Sequence, residues 1–184
     1  MFTNLHSELR EFLESGESLL WSGRPKQGII LRTGDTYAIP FSLMWAGFAF
    51  FWEFTVIQTN APFFFKLWGI PFVLTGLYIV FGRFFYDAWV RKNTIYGLTD
   101  KRVIIKSGGW NKTITSLNLS NLREVTLKEK SDGSGSIIFG QENNINQMFR
   151  GFSKNKQTPS FEMIPHVRKV YNQILELQNK IRNS

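Results

Sequence analysis

Residues 37–82 read YAIPFSLMWAGFAFFWEFTVI, then QTNA, then PFFFKLWGIPFVLTGLYIVFG, and Glu53 and Lys66 are the only charges in the whole stretch. A helix needs about 20 apolar residues to cross a hydrocarbon core roughly 30 Å thick. The stretch supplies that length twice: residues 37–57 form a first transmembrane helix and residues 62–85 a second, with 58–61 as an external link. Pro40 and Pro71 would weaken helices in water, but neighbouring helices in lipid re-satisfy the freed backbone groups. The link, Gln58-Thr59-Asn60-Ala61, is short and uncharged, so the two spans must be antiparallel neighbours.

The flanks give an orientation. Arg24, Lys26 and Arg32 precede the hairpin, Arg83, Arg91 and Lys92 follow the second span, and the link carries no cation. Cations collect on the cytoplasmic side of membrane proteins, so both termini are expected in the cytoplasm of a multi-pass membrane protein. Glu53 and Lys66 are equally far from the middle of the link and are expected at similar depth, as a candidate intramembrane ion pair that lowers the cost of two charges in the apolar slab. Trp52, Phe54, Phe63, Phe64, Phe65 and Trp68 suit an outer aromatic belt, and Phe84, Phe85, Tyr86 and Trp89 an inner one.

The net charge of +8 is unevenly spread: from Arg91 onward there are 16 Lys+Arg against 7 Asp+Glu. Beside a membrane, such a surface is attracted to anionic lipid headgroups, at about 1 kcal/mol per cation. The bilayer and its headgroups are therefore the first expected partners. Nucleic acid, the other polyanion, ranks below them, and protein partners have no signature here. Arg83, Arg91, Lys92, Lys101 and Arg102 are the candidate contacts for headgroups or partners. Lys106, Lys112, Lys128, Lys130, Lys154 and Lys156 carry much of the remaining excess.

Outside the hairpin the pattern changes. In residues 3–14, Leu5, Leu9, Phe12 and Leu13 recur at helical spacing, with Thr3 or Asn4 as cap, predicting a short amphipathic helix that packs on the protein or lies at the bilayer surface. Residues 18–22 suit a short strand. Arg83, Asp87 and Arg91 at four-residue steps extend the second helix beyond the apolar stretch. Alternation then predicts strands at 93–99, 102–107, 113–119, 123–130, 134–139 and 160–164, separated by turn residues such as Gly108-Gly109 and Ser131-Asp132-Gly133. Residues 141–158 read as a long polar loop with Met148, Phe149 and Phe152 as its apolar anchors. Val167, Val170, Tyr171, Ile174, Leu177 and Ile181 then mark a terminal amphipathic helix, with Pro165 suited to its first turn.

A β structure closed by one C-terminal helix resembles a pleckstrin-homology (PH) domain. The stretch YGLTDKRVIIKSG at 96–108 looks like the opening hairpin of the bacterial PH-domain membrane proteins, and GESLLWSGRP at 16–25 is similar to the segment that leads into their hairpin. DGSG at 132–135, IIFG at 137–140 and PSFEMIP at 159–165 also match that family. The resemblance implies an α+β membrane protein: a two-helix transmembrane hairpin plus a PH-like small antiparallel β-barrel or sandwich closed by a C-terminal α-helix. The expected division is a cytoplasmic N-terminal segment at 1–36, the hairpin, and a cytoplasmic PH-like domain at 93–184. It also implies a bacterial inner-membrane location and says little about activity. With no catalytic constellation in the sequence, the expected function is a membrane-anchored, non-enzymatic interaction module that binds protein partners, itself as a homo-oligomer, or anionic headgroups. The alternative is an accessory subunit of a membrane transport or envelope-stress system in which the hairpin itself is functional. Phosphoinositide binding is not carried over, because the turn at Asp100, Lys101 and Arg102 mixes one acidic with two basic residues.

No catalytic, cofactor or metal site is expected. There is no cysteine, which excludes disulfides, thiolate zinc sites and Cys nucleophiles, and the two histidines, His6 and His166, lie at opposite ends of the chain. DGSG lacks the Lys-Ser/Thr and the helix that a phosphate-binding loop requires, so it reads as a turn. Ser160, Glu162 and His166 lack a nucleophile elbow. The Asn111 and Asn118 sequons have no use in a bacterial cytoplasm.

Overall fold

The computed structural model describes residues 3–31, 35–110, 112–141 and 158–183. Arg32, Asn111, and the loop anchors and lysines Met148, Phe149, Phe152, Lys154 and Lys156 lie outside the described residues, as do the side chains of the cap candidates Thr3 and Asn4. The chain separates into two compact units. One combines Met1–Gly28 with Trp89–Ser184; the other is Ile29–Ala88.

The first, or β, unit grows from the alternating stretch at 95–107. Strands β2 (Ile95–Thr99) and β3 (Arg102–Ser107) pair antiparallel across a turn at Asp100 and Lys101. Strand β4 (Thr113–Asn118) adds to β3, and β1 (Leu19–Gly23) adds to the other side of β2, with a bulge between Leu19 and Trp21. The order of this sheet is β1-β2-β3-β4. A second antiparallel sheet, β5-β6-β7, is formed by Val125–Glu129, Gly135–Phe139 and Ser160–Ile164. Of the expected barrel or sandwich closed by a C-terminal helix, the described residues show two antiparallel sheets and the helix, and no closed barrel. The short strand expected in the N-terminal segment is present and forms an edge of the first sheet.

Every residue of β2 is buried. Successive side chains of a strand point to opposite faces, so both faces of β2 must be covered. Tyr96 and Leu98, with Val103 and Ile105 of β3, face the main core between the sheets. Ile95 and Ile104 face the other way, where Leu9 of helix α1 (Thr3–Arg10) covers them and is itself fully buried. The N-terminal amphipathic helix is thus packed on the protein. The main core is sealed by the terminal helix, Val167–Arg182, through Val167, Val170 and Ile174. Its N-cap is His166 in the left-handed region, so Pro165 precedes the helix rather than opening its first turn.

The second, or hairpin, unit holds α2 (Asp35–Gln58) and most of a continuous helix from Phe63 to Lys92. That long helix has three parts: α3 (Phe63–Leu77), one wider π turn (Tyr78–Gly82), and α4 (Arg83–Lys92). The terminal helix Val167–Arg182 is therefore α5. Both hairpin helices are long and apolar enough to cross a membrane, with 22% and 11% of their apolar windows buried. The core helix of a water-soluble protein would be mostly buried.

Phe161 is the hub of the main core. Its ring lies 4.8 Å from Tyr96, 5.0 Å from Phe139 and 5.4 Å from Trp21, centroid to centroid, tying together strands of both sheets. Truncating a fully buried Phe removes its transfer free energy and leaves a cavity, at about 3–5 kcal/mol. Phe161→Ala should therefore destabilise the β unit by about that amount. Hydrogen exchange of the amides of β2 and β6 should rise together in the variant, as the common core predicts.

Candidate interaction surface and apolar hairpin

The two hairpin helices meet through small residues. A Cβ added at Gly76 would lie 3.1 Å from the Cα of Ala46, and one at Gly69 would overlap the carboxylate of Glu53. Both pairs are centred on residue 61, not on the middle of the link. Glu53 therefore faces Gly69, about one helical turn from Lys66, and among the described residues no ion pair joins Glu53 to Lys66. The expected pairing assumed a symmetric link, whereas α2 runs on to Gln58 and the second helix starts only at Phe63. The Glu53 Oε2 atom is buried without a hydrogen-bond partner. At the other end of the hairpin Arg83 pairs with Asp35 at 3.2 Å and lies over the Phe84 ring.

The five candidate basic contacts divide into two groups. Arg83 is committed to Asp35. Arg91 is 4% exposed and donates to the carbonyl of Gly28, while Gln27 Nε2 reaches the carbonyl of Arg91 at 3.3 Å. These bonds tie the end of the N-terminal segment to the start of the returning chain. Arg102 is also turned inward, as described below. Lys92 and Lys101 are exposed. Lys101 lines a shallow depression with Glu14, Asp100, Arg102, Asn118, Ser120 and Ile181, in which both signs of charge are mixed. Of the other lysines, Lys106 is held by Glu8 at 3.4 Å over the Phe12 ring.

Arg102 sits at the centre of a network that sequence reading missed. Its guanidinium donates to Glu17 Oε1 from Nε at 2.9 Å, to Glu17 Oε2 from Nη2 at 2.8 Å, and to the Phe12 carbonyl at 3.0 Å. Nη1 lies 3.0 Å from Glu14. The hydroxyl of Thr99 also donates to Glu17, at 2.7 Å, and the amide of Glu14 donates to its Oε2 at 2.8 Å. The Glu17 side chain has no exposed surface. Burial pushes its pKa up, but the bonds from Arg102, the Glu14 amide and Thr99 outweigh that and lower it from 4.5 to about 2. The only signals in the sequence were a glutamate before a short strand and an arginine after a turn, 85 positions apart.

DGSG forms a turn closed by Asp132, which accepts from the Ser134 amide at 3.0 Å and the Ser134 hydroxyl at 2.6 Å, with Gly133 at φ +73. Ser160 and Glu162 stand on β7, with His166 at the start of α5. Among the described residues no cluster could hold a metal ion.

A carboxylate whose pKa falls on folding stabilises the fold above its unfolded value and loses that contribution as pH drops. The Glu17 contribution should be complete above about pH 5 and fade between 4.5 and about 2. Glu17→Gln leaves Arg102 short of its main partner and should cost about 2–3 kcal/mol at neutral pH. Exchange of β2 and β3 amides measured from pH 7 to pH 3 should show parent and variant converging toward the acid end.

A family model described as Bacterial PH domain matches residues 40–178. No curated protein and no solved structure matches the chain. The matched region covers most of the hairpin together with β2 to β7 and most of α5. The chain belongs to the bacterial PH domain family.

Proposed function

We propose that this chain is a membrane-anchored interaction module in which the hairpin crosses a bacterial inner membrane and the PH-like β unit works at the cytoplasmic face. Membership of a PH domain family supports an interaction module, and such a family is generally non-catalytic. The observation that carries the anchoring is the surface of the hairpin. Phe41, Phe48, Phe51, Phe54, Leu67, Trp68 and Leu74 are each between 54% and 69% exposed, an apolar surface that water would not tolerate on a monomer. Charge supports the same division. Arg32, Lys66 and Arg83 balance Asp35, Glu53 and Asp87 in the hairpin unit, so the whole +8 belongs to the β unit. A cationic unit beside anionic lipid, or facing acidic partner proteins or further copies of the chain, is the arrangement this favours.

Alkaline carbonate should leave the chain in the membrane pellet. A reporter fused after the last residue should resist protease added to spheroplasts and yield to it after lysis. Extraction by carbonate, or digestion in intact spheroplasts, would remove the reading. Photo-crosslinking from position 101 should then capture a neighbour at the exposed lysine surface.

A second reading, in which the hairpin serves a transport or envelope-stress system, draws on the buried and unpartnered Glu53 Oε2. If the hairpin only anchors, Glu53→Gln keeps membrane retention and the crosslinking pattern unchanged. If the hairpin is functional, the crosslinked neighbours change while retention does not.

A further inference from the structure

Among the described residues, four large apolar side chains of the β unit are exposed: Leu20, Trp89, Trp110 and Ile114. Two of them, Trp89 and Trp110, meet where the β3–β4 connection reaches the end of α4. Trp110 is 86% exposed, and its ring meets that of Trp89 edge to face at 6.4 Å. Ile114 follows on β4, with Lys112 exposed between them. The turn is held in position by its backbone. Gly108 packs so closely on Asn93 that any Cβ would strike the Asn93 main chain, and its amide donates to Thr94 Oγ1 at 3.4 Å. The Thr94 hydroxyl in turn donates to the Val90 carbonyl at 2.8 Å. Beside this close backbone packing the connection presents an indole to solvent, which the core of the domain does not require.

We propose that Trp110 and Trp89, flanked by Lys112 and Lys92, form a wedge that seats the β unit in the headgroup layer of an anionic bilayer. This rests on the reading of the hairpin as a membrane anchor and adds a second point of lipid contact to it. Chain order supports the placement, since Trp89 lies only a few residues beyond the apolar stretch 62–82 on one continuous helix. The headgroup layer is roughly 5–8 Å deep on each side of the core, and indoles favour that layer because one edge is apolar and the other donates a hydrogen bond. Lys92 and Lys112, both exposed, add attraction to anionic headgroups.

The absence of cysteine allows single labelling sites. Full-length Lys112→Cys, Phe48→Cys and Ser120→Cys proteins, each carrying an environment-sensitive fluorophore, would be reconstituted in phosphatidylethanolamine–phosphatidylglycerol vesicles containing lipids spin-labelled near the headgroup or deep in the chain. The expected result is quenching of position 112 by the shallow label, of position 48 by the deep label, and of position 120 by neither. Adding Trp110→Ala, a change at an exposed site that leaves the core intact, should remove most of the quenching at 112. Replacing phosphatidylglycerol by a zwitterionic lipid should weaken it. Position 112 behaving like 120 while 48 is quenched would overturn the wedge and leave the anchor standing. An unquenched position 48 would overturn both. A signal at 112 that follows protein density rather than the lipid label would assign the surface to a second copy of the chain, and would also overturn the proposal.

Discussion

The β unit depends on a closure between two pieces of chain that the hairpin separates. β1 contributes little burial of its own and sits at a sheet edge, so its pairing with β2 needs a further tie. The Glu17–Arg102 bridge supplies it, beside a buried threonine hydroxyl and the carbonyl that ends the α1 segment. A carboxylate with no exposed surface would be costly if unpaired. Here the guanidinium fork, a hydroxyl and a main-chain amide together meet its acceptors. The same closure brings Leu9 over Ile95 and Ile104, so the outer face of the first sheet is covered only because β1 is in place. At the other end of this seam, Arg91 and Gln27 bond across the point where the chain leaves and re-enters the unit.

The hairpin was legible because its signal is local. Two apolar stretches of sufficient length and a four-residue link need no distant partner to be recognised, and the strands from Ile95 to Phe139 show themselves by alternation and turn residues in the same way. The register of the hairpin was not legible. It depends on which small residues let the helices approach, and Ala46, Gly69 and Gly76 look like any other small residues in an apolar run. Glu53 and Lys66 seemed matched by counting from the link, yet packing sets Glu53 against Gly69 instead.

Charge carried the least positional information, for a physical reason. A cation in a sequence carries no mark of whether it faces water or a carboxylate. Of the five basic residues expected at a surface, the three arginines are held by protein groups and the two lysines are exposed. Arginine has the planar fork that satisfies a carboxylate or a pair of carbonyls in a partly dry setting, while lysine is more strongly hydrated. The division between internal arginines and outward lysines follows that difference in chemistry. It leaves the net charge of the unit in place but moves the sites where a partner can meet it toward lysines such as Lys92, Lys101 and Lys112.

The insertion of the hairpin between β1 and β2 also constrains how the molecule is made. β1 ends at Gly23 and its partner strand begins at Ile95, so during synthesis β1 waits unpaired while the whole apolar stretch emerges. The entropy of closing so long a loop grows only slowly with its length. The more severe demand is that the intervening chain be kept from collapsing on the waiting strand and helix, since exposed apolar chain is what drives misassembly. If the hairpin enters lipid as it is synthesised, that competitor is withdrawn before β2 and β3 appear. The two ends of the inserted segment are then also held near each other by its antiparallel helices, which shortens the effective loop that β1 and β2 must close. On that condition the hairpin and the β unit would be mutually supportive: a segment that would frustrate folding in water would help to bring the first sheet together in lipid.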